Sequence, residues 1–402
     1  MIAKFSVSNY RSIKDKQTIS FYSTSDKTSR ALDTYEVAPG VFINKLAIFI
    51  GPNASGKSNI LQALQALVMM MSRPGISKNE NISQYIPFKM YTGQPVKMSL
   101  EFYLDTIRYI YNIEYNDRAV LQETLYYVPS RSKALVYSRN FSGEDQQPEI
   151  NFGTTIGLFV ATKNELKKHT YNNSSVLSTI SKLSLGEDAE ILKKIVRWLD
   201  NRIMMIDNIM DSSGYGTQLL EIDKNAEKRA LLLKLLAKAD FNITDFRIIN
   251  QQESNRQKAH ILFMNHSEQG DFETPLEFQS DGTLRFIELI DSLYNISKGN
   301  YVYLLDELGN KLHYDLLVYY LQLFLYGATS SQVIFTSQSI LLLDEDFVRT
   351  DTVYFTEKDG NTASTSYVRA SDLGLRKGMS LYKRYRIGKI GSVPDVGSPY
   401  FE

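Results

Sequence analysis

The 402-residue chain has no cysteine, which excludes a disulfide framework and any thiolate metal site. It also lacks a net charge, with 45 basic against 45 acidic residues. The balance argues neither for nor against nucleic acid, and any charged patch must be local. Long apolar runs are missing too. The longest, Ile60–Met71, is interrupted by Gln62 and Gln65 and falls short of the ~20 residues that a membrane-spanning helix needs. The opening Met1-Ile-Ala-Lys-Phe-Ser-Val-Ser8 has no signal-peptide apolar core. Histidine is scarce: His169, His260, His266 and His313 are all there are. His260 and His266 have no carboxylate or thiolate partner at ligand spacing, so they are not expected to hold a metal. There is no internal repeat and no low-complexity linker. These absences lead us to expect a soluble cytoplasmic protein without membrane association. Its length and 43% hydrophobic content allow a large core.

What is present is concentrated at one octapeptide. Gly51, Pro52, Asn53, Ala54, Ser55, Gly56, Lys57 and Ser58 follow the apolar run Lys45–Ile50 and precede Asn59 and an apolar helical pattern to Met71. This is the spacing of a P-loop. A strand delivers the chain to a tight turn, where Gly56 allows close backbone approach to phosphate. Successive N–H groups and the positive end of the next helix then cradle the anion. Lys57 would reach the β- and γ-phosphates of ATP, and the Ser58 hydroxyl would take a place on Mg²⁺.

Hydropathy patterning organises the rest. Ile2–Val7, Gln17–Tyr22 and Ala47–Ile50 read as strands. Val96–Leu104, Tyr109–Tyr115 and Leu121–Val128 alternate as antiparallel strands do, with a turn at Asp105. Residues 155–240 change character, and Glu190–Ile206 and Asn225–Ala239 have helical spacing. Strands return at Ile243–Asn250 and His260–Met264. A strand–loop–helix alternation follows: helix Phe286–Ile296, strand Tyr301–Leu305, helix Leu316–Tyr326, strand Gln332–Phe335 and a hairpin over Thr352–Arg369 around Asp359-Gly360. Three domains are expected: 1–154, a helical insertion 155–240, and 241–402.

Three further constellations bear on phosphate chemistry. Tyr301–Leu305 ends in Asp306 and Glu307. An acid at a strand end beside the P-loop strand can hold Mg²⁺, and the next acid can polarise the attacking water. Acids at a strand's solvent boundary are also common without function. Ser280-Asp-Gly-Thr283 precedes a helix, either as a second anion site with Ser280 and Gly282 at its N-terminus or as an ordinary N-cap. Gln332–Phe335 runs into Thr336, Ser337 and Gln338, candidates to sense the γ-phosphate or plain loop residues.

Taken in order, these segments resemble the ATP-binding cassette ATPases of the structural-maintenance and DNA-repair branch. They look most like the stand-alone phage-defence and abortive-infection ATPases of the overcoming-lysogenization-defect, AbiL and Rlo type. The opening Phe5–Ile13, the Walker A segment Gly51–Asn59, Tyr85–Lys89, Glu123–Tyr127 and Ala239–Ile243 carry the resemblance. So do Ser280–Thr283 at the signature position, Leu305–Leu308 as Walker B, Asn310–His313 as D-loop, Asp351–Tyr354 with Glu357–Asp359, and the tail around Tyr385–Pro394. The resemblance implies an α/β fold, an ABC-ATPase head (P-loop NTPase) with an antiparallel β lobe and a helical insertion. It implies ATP and Mg²⁺ as ligands, Asp306 with Ser58 on the metal, Glu307 and Gln338 as catalytic positions, and Arg11 near the nucleotide. A homodimer or higher homo-oligomer would close Ser280 and Gly282 of one copy over the ATP of another.

Two departures stand out. The switch position, usually His in the family, is Gln338, which cannot carry a positive charge. The Q-loop glutamine is either Gln84 or replaced at Pro87-Phe88. The tail holds Arg376, Lys377, Lys383, Arg384, Arg386 and Lys389, with Tyr382 and Tyr385 between them, so nucleic acid is a candidate partner beside a solvated helix face. Three functions follow. The first is an ATP-driven dimeric switch controlling a separate nuclease or toxin effector in antiphage defence. The others are a repair or recombination ATPase on DNA, and a nucleotide-loaded scaffold holding a toxin with negligible turnover.

Overall fold

The computed structural model describes residues 1–24, 30–78, 80–129, 132–141, 143, 147–206, 212–239, 241–253, 256–374 and 380–388. The chain divides into two compact units, residues 1–206, 300–306 and 330–402 in one and 207–299 with 307–329 in the other.

In the first unit, β1 (Ile2–Ser8) and β2 (Gln17–Ser20) are followed by the short helix α1 (Arg30–Asp33) and the hairpin β3 (Thr34–Ala38) and β4 (Val41–Asn44). Next come β5 (Leu46–Ile50), helix α2 (Lys57–Ser72), and the strands β6 (Val96–Leu104), β7 (Ile107–Tyr115), β8 (Val120–Val128), β9 (Ala134–Asn140) and β10 (Glu149–Phe152). An antiparallel sheet of order β10-β9-β8-β7-β6-β1-β2 results. Val96, Met98, Leu100 and Phe102 are buried on one face of β6, with Lys97, Ser99 and Glu101 between them, the two-residue period of a half-buried strand. The reversal from β6 to β7 passes through Asp105 and Thr106, both at positive φ.

The helices α3 (Val160–His169), α4 (Val176–Ile180) and α5 (Glu190–Arg202) also belong to this unit. The helical reading of Glu190–Ile206 needs correction at its end. The helix stops at Arg202, and Ile203–Ile206 is a strand, β11, paired parallel to a later strand. Ile203-Met-Met-Ile206 continues the apolar pattern that reads as helix, but an open sheet edge satisfies its backbone instead. Trp198 of α5 stacks on Phe102 with centroids 5.2 Å apart, so α5 packs under the antiparallel sheet.

The second unit holds α6 (Ser212–Asp223), α7 (Ala226–Lys238), the sheet β12 (Ile243–Glu253), β13 (Arg256–Asn265) and β14 (Phe272–Pro275), and helices α8 (Asp281–Ser297) and α9 (Tyr314–Gly327). Asn225 caps α7 by accepting from the Lys228 N–H at 3.1 Å. The helices of the stretch 155–240 are thus shared between the two units.

The chain re-enters the first unit as β15 (Val302–Leu305), then as β16 (Gln332–Ser337), β17 (Val353–Lys358), β18 (Thr365–Arg369) and α10 (Leu381–Arg386). These complete a six-stranded sheet of order β11-β15-β16-β5-β17-β18, parallel except for the final hairpin. Every residue of β5, β15 and β16 is buried, as expected of parallel strands covered on both faces. The fold is therefore α/β: a P-loop NTPase sheet joined to an antiparallel β lobe. Since β5, β15 and β16 are neighbours, their carboxyl ends bring Gly51, Asp306 and Gln338 to one edge, where open α/β sheets bind ligands.

Candidate functional site

The loop between β5 and α2 has the strain and openness of an anion cradle. Gly56 caps α2 with φ 99° and ψ 17°, a conformation costly for any residue with a Cβ. A Cβ there would also collide with Thr365 and Ser12. Ala54 holds φ 61° in the same loop. No side chain caps α2 and its first turn has no acid of its own, so the N–H groups at the positive end of this 16-residue helix can serve an anionic ligand. The buried Lys57 Nζ donates to the carbonyls of Gly51 at 2.9 Å and Pro52 at 2.8 Å. The loop thus folds around its own ammonium group.

Ser58, one residue further, donates through Oγ to Asp306 Oδ1 at 2.9 Å, and Thr336 Oγ1 donates to the same oxygen at 2.6 Å. Asp306 reaches this point because β15 lies beside β16, and its backbone N–H extends the β11 ladder to the Ile206 carbonyl at 3.1 Å. Periodicity alone gave no hint of β11, so this contribution was not legible. Of the three candidates after Gln332–Phe335, Thr336 joins Asp306, Ser337 is buried and Gln338 is exposed just beyond β16.

Other supports were also missed. Thr365 Oγ1 donates to the Ser55 carbonyl at 2.9 Å and lies 2.7 Å from Ser12 Oγ, which accepts from Asn59 Nδ2 at 2.5 Å. Tyr367 Oη donates to the Gly56 carbonyl at 2.7 Å. Only the hairpin brings residues some 310 positions away in the chain to the loop, and no local signal marks them. Arg11 adjoins Ser12, with φ 50° and its N–H on the Ile86 carbonyl at 2.8 Å. Gln84 offers its carbonyl to Tyr115 Oη at 3.2 Å, and the Phe88 N–H donates to Asn9 Oδ1 at 3.0 Å.

The second unit gathers the remaining candidates. Ser280 caps the 17-residue α8, accepting from the Thr283 N–H at 3.1 Å, so the N-cap reading describes its own contacts. Gly282 lies in the first turn, where a Cβ would come within 3.0 Å of the Lys311 carbonyl. Lys311 Nζ pairs with Asp281 at 3.2 Å. The segments Ser280–Thr283 and Asn310–His313 are thus in contact, and His313 caps α9 through Nδ1. Glu307 stands at φ 48°, a strained backbone of the kind that clusters at functional sites. Its carbonyl accepts from the Asn310 N–H at 2.8 Å.

The basic tail is only partly accounted for. Lys383, Arg384 and Arg386 lie on α10, while Tyr385 is buried and stacks on Phe355 at 5.7 Å. That tyrosine is therefore spent on packing. Arg376, Lys377, Lys389, Pro394 and Asp240 lie outside the described residues. Among the described residues, no group of three His, Asp or Glu side chains could hold a metal without a ligand's help, and no helix is long and apolar enough to cross a membrane.

A family model described as "AAA domain, putative AbiEii toxin, Type IV TA system" matches residues 46–344. No curated protein matches the chain. Three solved structures show a distant likeness of fold, each at 12% identity. The SMC head domain from Thermotoga maritima has a TM-score of 0.42, over 92% of this chain and 98% of that one. An SMC head bound to the C-winged helix domain of ScpA has 0.45, over 95% and 99%. An SMC head with an extended coiled coil, bound to the C-terminal domain of ScpA derived from Pyrococcus furiosus, has 0.42, over 97% and 98%.

Proposed function

The chain belongs to this AAA-domain family, and from that premise we propose that it binds and hydrolyses ATP as an ABC-type, nucleotide-dependent dimeric switch. The observation that carries the reading is the convergence of Ser58 and Thr336 on Asp306, directly beside a loop whose helix has no side-chain cap and no acid in its own first turn. A hydroxyl and a carboxylate in mutual contact are hard oxygen donors suited to Mg²⁺, which commonly takes one or two protein ligands and leaves the rest to phosphates and water. Bound there, the ion would neutralise charge on the β- and γ-phosphates.

The chain's own groups would do the rest. Lys57 exchanges two loop carbonyls for phosphate oxygens. The N–H groups of the loop and the first turn of α2 hold the β-phosphate. Glu307 takes a proton from the attacking water as its oxygen bonds to the γ-phosphorus and the bond to the ADP oxygen breaks. Ser280 and Gly282 of a second copy supply N–H groups to the γ-phosphate. The output passes to a separate nuclease or toxin effector in antiphage defence of the AbiL and Rlo kind, in the cytoplasm.

One observation favours a second reading. Gln338, exposed at the end of β16, can orient water but cannot supply positive charge, which suits a nucleotide-loaded scaffold with negligible turnover. Steady-state hydrolysis and native mass, measured on wild type, Lys57→Ala and Glu307→Gln, separate the two. The switch requires that both variants lose turnover and that Glu307→Gln accumulates ATP-dependent dimers. Lys57→Ala should weaken ATP binding about 10- to 150-fold, the loss of one charge-assisted contact. Tight ATP binding with negligible wild-type turnover and a fixed oligomer would instead establish the scaffold.

A further inference from the structure

A cradle of backbone N–H groups works only if the carbonyls of the same peptides face away and are satisfied behind the loop. In this chain the C-terminal hairpin satisfies two of them. Thr365 Oγ1 donates to the Ser55 carbonyl, and Tyr367 Oη donates to the Gly56 carbonyl. With its proton committed to Ser55, Thr365 must accept from Ser12, whose oxygen in turn accepts from Asn59 Nδ2. Each hydroxyl then donates once and accepts once, and the relay Asn59–Ser12–Thr365–Ser55 begins and ends on the P-loop and its helix. Backbone pairing holds the relay in place, since the Thr365 N–H donates to the Ser12 carbonyl at 2.8 Å. The Tyr367 ring sits edge-on to Phe49 of β5 at 5.8 Å, and burial keeps its phenol protonated as a donor.

We propose that Thr365 and Tyr367 are positioning residues for the nucleotide: by holding the Ser55 and Gly56 carbonyls they turn the N–H groups of the same peptide units, those of Gly56 and Lys57, toward the β-phosphate. The proposal rests on the ATP-site reading of this loop. It predicts a loss shared by ATP and ADP, because both carry a β-phosphate and neither residue would sense the γ-phosphate.

The test is the affinity of wild type, Lys57→Ala, Thr365→Val, Thr365→Ser and Tyr367→Phe for MgATP and for MgADP, with melting temperatures alongside. Thr365→Val keeps the shape and removes the donor, and leaving a buried carbonyl unpaired should weaken both nucleotides by about tenfold or more. Thr365→Ser should bind as wild type does. Should Thr365→Val fail to fold, Tyr367→Phe removes one hydroxyl and no packing; the Gly56 carbonyl keeps the Asn59 N–H at 3.0 Å, so both nucleotides should weaken together by a smaller factor, about 2- to 10-fold. A lower melting temperature with unchanged affinity in Thr365→Val and Tyr367→Phe would overturn the positioning role alone. A folded wild type that binds neither nucleotide would overturn the ATP-site reading as well.

Discussion

Substituting Gly56 by alanine should damage the first unit through two separable causes. Its backbone, at φ 99° and ψ 17°, lies where a Cβ costs about 1–2 kcal/mol. The new methyl would also press into Thr365 Oγ1 and lie 2.9 Å from both Thr365 Cγ2 and Ser12 Oγ. Overpacking of this kind costs about 1–3 kcal/mol. Together they amount to roughly 2–5 kcal/mol, a large part of the ~5–15 kcal/mol that holds a domain folded. The single tryptophan, Trp198, is buried in the same unit, so urea denaturation followed by its fluorescence reads that unit. Thr365→Ala removes the two Thr365 atoms that collide but leaves Ser12 Oγ and the backbone cost. The double variant should therefore be less destabilised than the two single losses added together, by about 1–3 kcal/mol. Strict additivity, or a Gly56→Ala loss below ~0.5 kcal/mol, would refute the steric argument.

Two further expectations concern the same unit. Ala54→Gly should relieve the positive φ of 61° and raise stability by up to about 1 kcal/mol, net of the extra freedom glycine gives the unfolded chain; a loss in denaturation would count against it. Asp33 is buried with neither carboxylate oxygen hydrogen-bonded. Burial pushes its carboxyl up to about 6, against the pull of Arg349 and Lys45 and with added repulsion from Asp351. The folded state thus binds its proton more tightly than the unfolded one, and stability should fall as pH rises from 3.8 to about 6. Asp33→Asn should flatten that decline and be the more stable form at pH 7, as denaturation across pH 4–7 would show; an unchanged pH slope would contradict it.

Strands and helices that carry their own periodicity were legible before the fold was known. Val96–Leu104 was found with its bounds intact because alternation is a local property of a half-buried strand. Helix α2 was anticipated from Asn59 and begins two residues earlier, at Lys57, since helix ends depend on caps rather than on the apolar stripe. Ile203–Ile206 read as helix because four apolar residues after an amphipathic run have no period of their own. Their strand character comes entirely from the vacant edge of β15.

The same division runs through the candidate site. The sequence by itself determined the loop Gly51–Ser58 and the acids after Leu305, because phosphate chemistry demands those residue types at fixed spacing along one strand end and helix start. The unbroken apolar run of β15 has no polar face to expose and is buried, whereas the burial of Gln332, Thr336 and Ser337 in β16 could not be read from the sequence. Tertiary structure alone decided that Ser58 and Thr336 share one oxygen of Asp306 and that Ser12, Thr365 and Tyr367 stand behind the loop. Thr336 and Asp306 are 30 positions apart, and the other contacts join residues 248 to 353 positions apart. A hydroxyl's partner is fixed by strand order and register, which no local pattern encodes.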